Sequence, residues 1–136
     1  MSKANIYIDV DGVLLTRSGE LAVGANELLL LLLSNKSYTC HWLTTRCKGD
    51  SSPVMNVLQP LLESNVATLI NQIQPTDWTT TKTEAIDFDA PFLWLDDSPL
   101  VYEINQLRSL DLINSWIKID LGAQPDQLVD IAASLN

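Results

Sequence analysis

The sequence predicts one α/β domain, spanning residues 1–136, with a mainly parallel sheet of about five strands and helices on both faces. Short apolar runs rich in β-branched or aromatic residues alternate with longer helix-like segments along the chain, as they do in strand–helix–strand units. The composition, 46% hydrophobic and 18% charged, is that of a globular domain. No repeat, low-complexity tract or linker divides the chain.

The first strand begins at Ile6 and ends at two aspartates, Asp9 and Asp11. The turn-rich segment 12–24 predicts a small hairpin or a flap, and the residues do not decide between them. A helix is predicted from 25 to about 34. Its six consecutive leucines give no clear single face, so we expect this helix to be buried on most sides.

A second strand is predicted over 38–43. A helix follows to about residue 63, because Ser51 or Ser52 would cap it and Pro53 suits a first helical turn. Residues 66–70 predict a short third strand. After a polar loop, a helix is predicted over 79–88.

The last third of the chain predicts two strands and two helices. The apolar run 92–95 predicts a fourth strand that ends at Asp96 and Asp97. A helix follows to about residue 109. Residues 116–120 predict the fifth strand, and residues 125–135 a final helix that begins with proline and aspartate.

The charge balance limits the possible partners. Eight basic and seventeen acidic residues leave a net charge of −9, which argues against general binding to nucleic acids or anionic membranes. A phosphorylated small molecule is compatible, because a local pocket or cation can override the global field. Cys40 and Cys47 lack metal-site spacing and predict free thiols. With no signal-peptide pattern, we expect a cytoplasmic protein.

Polar residues follow three of the predicted strands at their carboxyl ends. In a parallel sheet these ends meet at one edge, where ligands bind. A lysine also lies at the start of the helix before the fourth strand. The residues concerned are Asp9, Asp11, Thr44, Lys82, Asp96 and Asp97.

This combination of groups is suited to phosphoryl transfer. A carboxylate that attacks a phosphate ester needs a cation to screen the charge, and Mg²⁺ prefers carboxylate oxygens as ligands. A hydroxyl and an ammonium would hold the remaining phosphate oxygens. An aspartate nucleophile gives an aspartyl-phosphate, and a second carboxylate can protonate the leaving alcohol and then activate water.

The motifs resemble those of the haloacid dehalogenase-like (HAD) hydrolase superfamily and occur in that family's order. Residues 9–14, Asp-Val-Asp-Gly-Val-Leu, are similar to the first motif, and residues 42–44, Trp-Leu-Thr, to the second. Lys82 corresponds to the third, and residues 94–97, Trp-Leu-Asp-Asp, to the fourth. The resemblance covers essentially the whole chain and implies a three-layer, Rossmann-like fold.

The resemblance also implies roles for individual residues. Asp9 would be the nucleophile and Asp11 the general acid/base, which is the pattern of the phosphatase branch. The phosphate-binding residues would be Thr44, Lys82, Gly12 and Thr45. Magnesium would be held by Asp9, the Asp11 backbone carbonyl, Asp96 and Asp97, the last directly or through water.

The spacing of the motifs leaves no room for a cap domain. Asp9 to Thr44 spans 35 positions and Thr44 to Lys82 spans 38, and the predicted elements fill both intervals. Capless relatives have open sites that suit large or polymer-borne phosphates, or they take cover from another subunit, so an oligomer is compatible.

Other functions remain open at this point. A receiver-like phosphoacceptor uses similar residues, but its phosphorylated aspartate ends the third strand, where this chain has Leu69-Ile70-Asn71. A non-catalytic binding module is a further alternative. Nucleic-acid end processing would suit an open site, although the net charge opposes it. Arg46 and Lys48 either contact a second anionic group of the substrate or belong to a solvated loop.

Overall fold

A computed structural model describes residues 3–135, which contain one parallel sheet of four strands. The strands are β1 (Ala4–Ile8), β2 (Tyr38–Trp42), β3 (Phe92–Asp96) and β4 (Trp116–Lys118), in the order β2-β1-β3-β4. Ile8 pairs with Trp42 on one side and Leu95 on the other. The residues that follow these three strands therefore emerge side by side, and the predicted α/β class with a parallel sheet is confirmed.

The prediction of a strand over 66–70 is wrong. The segment forms helix α3 (Ser64–Leu69), followed by a 3₁₀ turn at Ile70–Gln72. Leu62, Val66, Ile70 and Ile73 are all buried, and their spacing of three or four residues marks one face of a helix. Beyond this turn, Gln74 makes a parallel bridge to β2. Its N–H donates to the Cys40 carbonyl at 3.0 Å, and its carbonyl accepts the Trp42 N–H at 2.8 Å.

Four of the five predicted helices are present, and they differ in how closely they follow the predicted bounds. Their bounds are α1 (Ala25–Ser34), α2 (Ser52–Leu58), α4 (Val101–Ser109) and α5 (Gln127–Leu135). Helix α2 ends before the predicted residue 63 because Pro60 lies in a 3₁₀ turn, Gln59–Leu61. Among the helices of the described residues, none is long and apolar enough to cross a membrane.

The predicted helix over 79–88 is also wrong. Only Lys82–Ala85 is helical, as a single 3₁₀ turn. The exposed Glu84 carboxylate accepts hydrogen bonds from the backbone N–H groups of three consecutive threonines at 3.1, 2.8 and 2.7 Å. Thr81 and Glu84 thus form a capping box that places the helix start at Lys82, after the threonines. The threonines are Thr79, Thr80 and Thr81.

The leucine run of α1 has one buried face, contrary to the expectation of burial on most sides. Leu28, Leu29 and Leu32 are buried, whereas Leu30 is 39% exposed. Helix α1 packs against α3, α5 and β2. The spacing of the buried positions is the usual core pattern of a helix, which a run of identical residues conceals.

The segment between β1 and α1 is a small hairpin, one of the two predicted alternatives. Leu15 and Leu21 form an antiparallel bridge. The Thr16 N–H donates to the Glu20 carbonyl at 2.8 Å, and the Ala22 N–H donates to the Leu14 carbonyl at the same distance. This hairpin lies directly after Asp11 and so borders the carboxyl edge of the sheet.

A pair of adjacent leucines tests the buried face of α1. Leu29→Ala should lower the free energy of unfolding by about 2–5 kcal/mol, because it opens a cavity in the core. Leu30→Ala should change it by about 0.5 kcal/mol or less. Chemical denaturation of both variants checks this, and equal losses would contradict the packing of α1.

Candidate active site

A cleft of about 590 Å³ lies at the carboxyl edge of the sheet. Five of the six residues predicted to meet at this edge line it; Thr44 does not. The cleft also receives side chains from the hairpin and from the start of α4. Its lining residues include Asp9, Asp11, Gly12, Arg17, Thr45, Trp78, Lys82, Asp96, Asp97 and Glu103. The predicted convergence of the strand ends is therefore present in the structure.

Asp9 is a buried carboxylate directly after β1, with 6% of the residue exposed. Its Oδ1 accepts a hydrogen bond from the Val10 N–H at 2.8 Å, and its Oδ2 lies 3.1 Å from Lys82 Nζ. Burial raises the pKa of Asp9 to about 6; Lys82 opposes this shift and the neighbouring Asp96 adds to it. Asp9 is therefore mainly ionised at neutral pH, although its burial disfavours the ionised form.

Lys82 joins the carboxylates of two different strands. Its Nζ lies 3.1 Å from Asp9 Oδ2 and 2.7 Å from Asp96 Oδ2. Burial alone would lower the pKa of Lys82, but the two carboxylates outweigh burial and raise the pKa above its ordinary value. The ammonium therefore stays charged beside the buried anions.

Glu103 positions the turn that carries Lys82, a role that sequence reasoning missed. This carboxylate is 1% exposed. Its Oε2 accepts the backbone N–H groups of Lys82 at 2.6 Å and Thr83 at 3.3 Å, while Oε1 accepts that of Leu100 at 2.8 Å. A glutamate three residues after the N-cap signals a capping box, but nothing in the sequence links it to Lys82.

Three carboxylates form a group with the dimensions of a metal site. One oxygen each of Asp9, Asp96 and Asp97 lies within 4.8 Å of the others. Burial, followed by the charge of Asp96, raises the pKa of Asp97. An oxygen-only donor set with clustered negative charge fits a hard divalent cation. Asp11 was predicted to offer the metal only its backbone carbonyl, and its carboxylate lies outside this group among the described residues.

Gly12 brings the hairpin into direct contact with Asp97. Its φ of 81° lies in the left-handed region, and a Cβ at this position would overlap the Asp97 carboxylate. Gly12 therefore lets the chain turn beside the carboxylate group. Its predicted phosphate-binding role remains a prediction.

The two threonines after β2 occupy different environments. Thr44 is fully buried, and its Oγ1 accepts the Arg46 N–H at 3.2 Å. Thr45 is exposed and lines the cleft. Both remain predicted phosphate-binding residues, with Thr45 in direct contact with the cleft and Thr44 shaping the turn.

Asp11 is paired with Arg46 rather than with the carboxylate group. Arg46 Nε donates to Asp11 Oδ2 at 2.7 Å and Nη2 donates to Oδ1 at 2.9 Å. Both side chains are substantially exposed, at 55% for Asp11 and 37% for Arg46. The hydrogen bonds from Arg46 lower the pKa of Asp11, so this carboxylate is ionised at neutral pH.

Comparisons with known proteins leave the resemblance as the sole pointer to a family. No family model, curated protein sequence or solved structure matches the chain. The HAD-like assignment and the roles it implies therefore remain predictions, and the function must be argued from the cleft and its residues.

The environment of Asp9 predicts a pH dependence of stability without divalent cations. The pKa of Asp9 rises from 3.8 to about 6 on folding, so the folded state holds the carboxyl proton of Asp9 more tightly than the unfolded state does. The free energy of unfolding therefore falls as the pH rises from about 4 to about 6. The loss should be on the order of 2–3 kcal/mol. Denaturation between pH 4 and pH 7 should show this slope in the wild type and a weaker one in Asp9→Asn; equal slopes would contradict the burial of Asp9.

Glu103 and Glu84 form a matched pair, since each accepts three backbone N–H groups. Glu103→Gln should lower the free energy of unfolding by about 1–3 kcal/mol, because buried donors lose a charged acceptor. Glu84→Gln should lower it less, because water can replace the exposed carboxylate. Thermal or chemical unfolding of both variants measures the difference, and a larger loss for Glu84→Gln would refute the positioning role of Glu103.

Proposed function

We propose that the protein is a Mg²⁺-dependent phosphatase of the HAD-like type, acting on phosphoric monoesters through Asp9. The observation that carries the proposal is the buried Asp9 carboxylate at the end of β1, 3.1 Å from the Lys82 ammonium and within 4.8 Å of two further carboxylates. These groups face an open cleft. An anionic nucleophile, a fixed cation and a hard-cation ligand set are the components that phosphoryl transfer requires.

In the first step, an Asp9 carboxylate oxygen attacks phosphorus. The bond between phosphorus and the leaving alcohol breaks as the bond to Asp9 forms, which yields an aspartyl-phosphate. Asp11, which must first take up a proton from solvent in the substrate-bound state, gives that proton to the leaving oxygen. Asp11 then accepts a proton from water, and the hydroxide attacks the aspartyl-phosphate to release inorganic phosphate and restore Asp9.

Asp9, Asp96 and Asp97 would hold Mg²⁺ together with the Asp11 backbone carbonyl. When bound, the ion screens the repulsion between the Asp9 carboxylate and the phosphate. The observed oxygen group supports this assignment, because its ligand type suits magnesium better than softer metals. Lys82 remains paired with Asp9 and Asp96 and directs its positive charge toward the cleft.

The substrate phosphate would lie between the strand ends and the hairpin. Lys82, Gly12 and Thr45 line this part of the cleft, and Thr44 holds the backbone that presents Thr45. Backbone N–H groups and hydroxyls at such a turn stabilise phosphate oxygens. We assign phosphate binding to Lys82, Gly12 and Thr45, with Thr44 as the residue that positions this turn.

The proposed architecture is a three-layer, capless core. Ile6 and Ile8 of β1 belong to one hydrophobic cluster and Tyr7 to another, which supports helices on both faces of the sheet. Only the short hairpin borders the cleft opening from the segment between the first two motifs. An opening of this kind suits a phosphorylated small molecule or a phosphate carried by a polymer.

The receiver-like alternative has less support. Its phosphorylated aspartate would end the third strand; the segment predicted as that strand is helix α3 and a 3₁₀ turn, and the third strand of the sheet, β3, ends at Asp96. Lys82 Nζ contacts both Asp96, at the end of β3, at 2.7 Å and Asp9, after β1, at 3.1 Å. Both Asp96 oxygens are engaged, one by Lys82 and the other by the Ser98 N–H at 2.9 Å. Asp9 is followed two residues later by Asp11, a second cleft carboxylate that can serve as the acid/base of a hydrolysis. The order of parts favours hydrolysis.

Replacement of Asp9 tests the proposal directly. Asp9→Asn should lower turnover of 4-nitrophenyl phosphate with Mg²⁺ by about 10³-fold or more, because the nucleophile is lost. Asp130→Asn removes the same charge from the exposed surface of α5 and should retain wild-type turnover. Circular dichroism would establish that both variants fold. Full activity in Asp9→Asn would refute the assignment.

A further inference from the structure

The Arg46–Asp11 pair conflicts with the task proposed for Asp11. A proton carrier must approach the leaving oxygen of the substrate, yet both carboxylate oxygens of Asp11 accept hydrogen bonds from one guanidinium at 2.7 and 2.9 Å. Asp11 also lines the cleft. In this state the carboxylate is held by Arg46 rather than presented to a substrate.

The pair is of a kind that a ligand can replace. Asp11 and Arg46 are 55% and 37% exposed, and ion pairs in such solvated positions are weak. The guanidinium fork that fits the Asp11 carboxylate fits a carboxylate or phosphate of a ligand equally well. A ligand anion beside the cleft would therefore compete directly with Asp11 for Arg46.

The distribution of positive charge points to a ligand with more than one anionic group. The chain has a net charge of −9 and eight basic residues, but four of those eight lie in or beside this one cleft. Lys48, for example, lies 3.3 Å above the ring of Trp78, a cleft residue, and donates to its carbonyl. The four residues are Arg17, Arg46, Lys48 and Lys82. Lys82 is paired with two buried carboxylates, Asp9 and Asp96, whereas the partner of Arg46, Asp11, is exposed.

We propose that Arg46 is a displaceable clamp that binds a second anionic group of the substrate and in doing so releases Asp11. The substrates would be phosphomonoesters that carry a further carboxylate or phosphate near the reacting phosphate. This inference rests on the phosphatase function proposed above. When the reacting phosphate is the only anionic group of the substrate, Arg46 stays paired with Asp11. When the substrate carries a second anionic group, Arg46 binds that group, and Asp11 is free to approach the leaving oxygen.

Binding to the full-length chain in an Asp9→Asn background, where turnover is blocked, tests the clamp. Calorimetry with Mg²⁺ would compare 3-phosphoglycerate with glycerol 3-phosphate, and adenosine 3′,5′-bisphosphate with adenosine 5′-monophosphate. The first pair tests a carboxylate as the second group and the second pair tests a phosphate. In at least one pair the doubly anionic ligand should bind about tenfold more tightly, as expected for a gained charged hydrogen-bonded pair.

Variants of Arg46 and of Asp11 should shift this ligand preference in opposite directions. Arg46→Gln should reduce the affinity ratio to within about twofold of unity, because the fork is gone. Asp11→Asn should raise the ratio several-fold, because the internal competitor is weakened. Arg108→Gln makes the same substitution on the exposed surface of α4, away from the cleft residues, and should keep the preference.

Several outcomes would overturn the clamp. These are equal affinities within both pairs, no binding of either ligand with a second anionic group, an undiminished ratio in Arg46→Gln, or an equal loss in Arg108→Gln. Failure of the phosphatase function is recognised separately, as the absence of even a single-turnover release of 4-nitrophenolate from 4-nitrophenyl phosphate, because this leaving group departs without a proton from Asp11. A retained ligand preference without turnover would refute the function and leave the clamp intact.

Discussion

The site depends on the burial of an aspartate beside other carboxylates with a single lysine to offset the charge. Asp9 and Asp96 leave adjacent strands, so the parallel register itself brings like charges together. Lys82 contacts both of them, but burial, with a smaller contribution from the Asp96 charge, still raises the pKa of Asp9. A buried charge group of this kind is unfavourable for stability; in the proposed function, a bound cation and a phosphate would offset that cost.

The rest of the structure holds this arrangement in place. Glu103, at the start of α4, fixes the 3₁₀ turn that presents Lys82. Gly12 allows the hairpin to approach Asp97 closely. The hydrophobic residues of β1 anchor the strand on which Asp9 depends. Stability and chemistry thus meet at the same strand ends, where removal of one partner leaves another charge without compensation.

Much of this arrangement could be predicted because it depends on local patterns. Apolar runs that stop at Asp9, Thr44 and Asp96 reveal both the strands and the edge at which they end. The third strand was misread because Val66 and Ile70 favour strands by composition, whereas their spacing belongs to a helix. The Glu103 and Arg46 contacts could not be predicted, since each joins residues 20 or more positions apart and depends on how loops pack. The pairing of Asp11 with Arg46 also distinguishes Asp11 from Asp9 in a way that their shared motif does not.

The central claim is that Asp9 becomes covalently phosphorylated during turnover. The most direct test is to mix the protein with an aryl phosphate and Mg²⁺, quench with acid within the first turnovers, and map the modified peptide by mass spectrometry. The account predicts one phosphoryl group on Asp9, labile to hydroxylamine as an acyl phosphate should be and absent from Asp9→Asn. Turnover with no modified aspartate, or with the phosphoryl group on another residue, would contradict it.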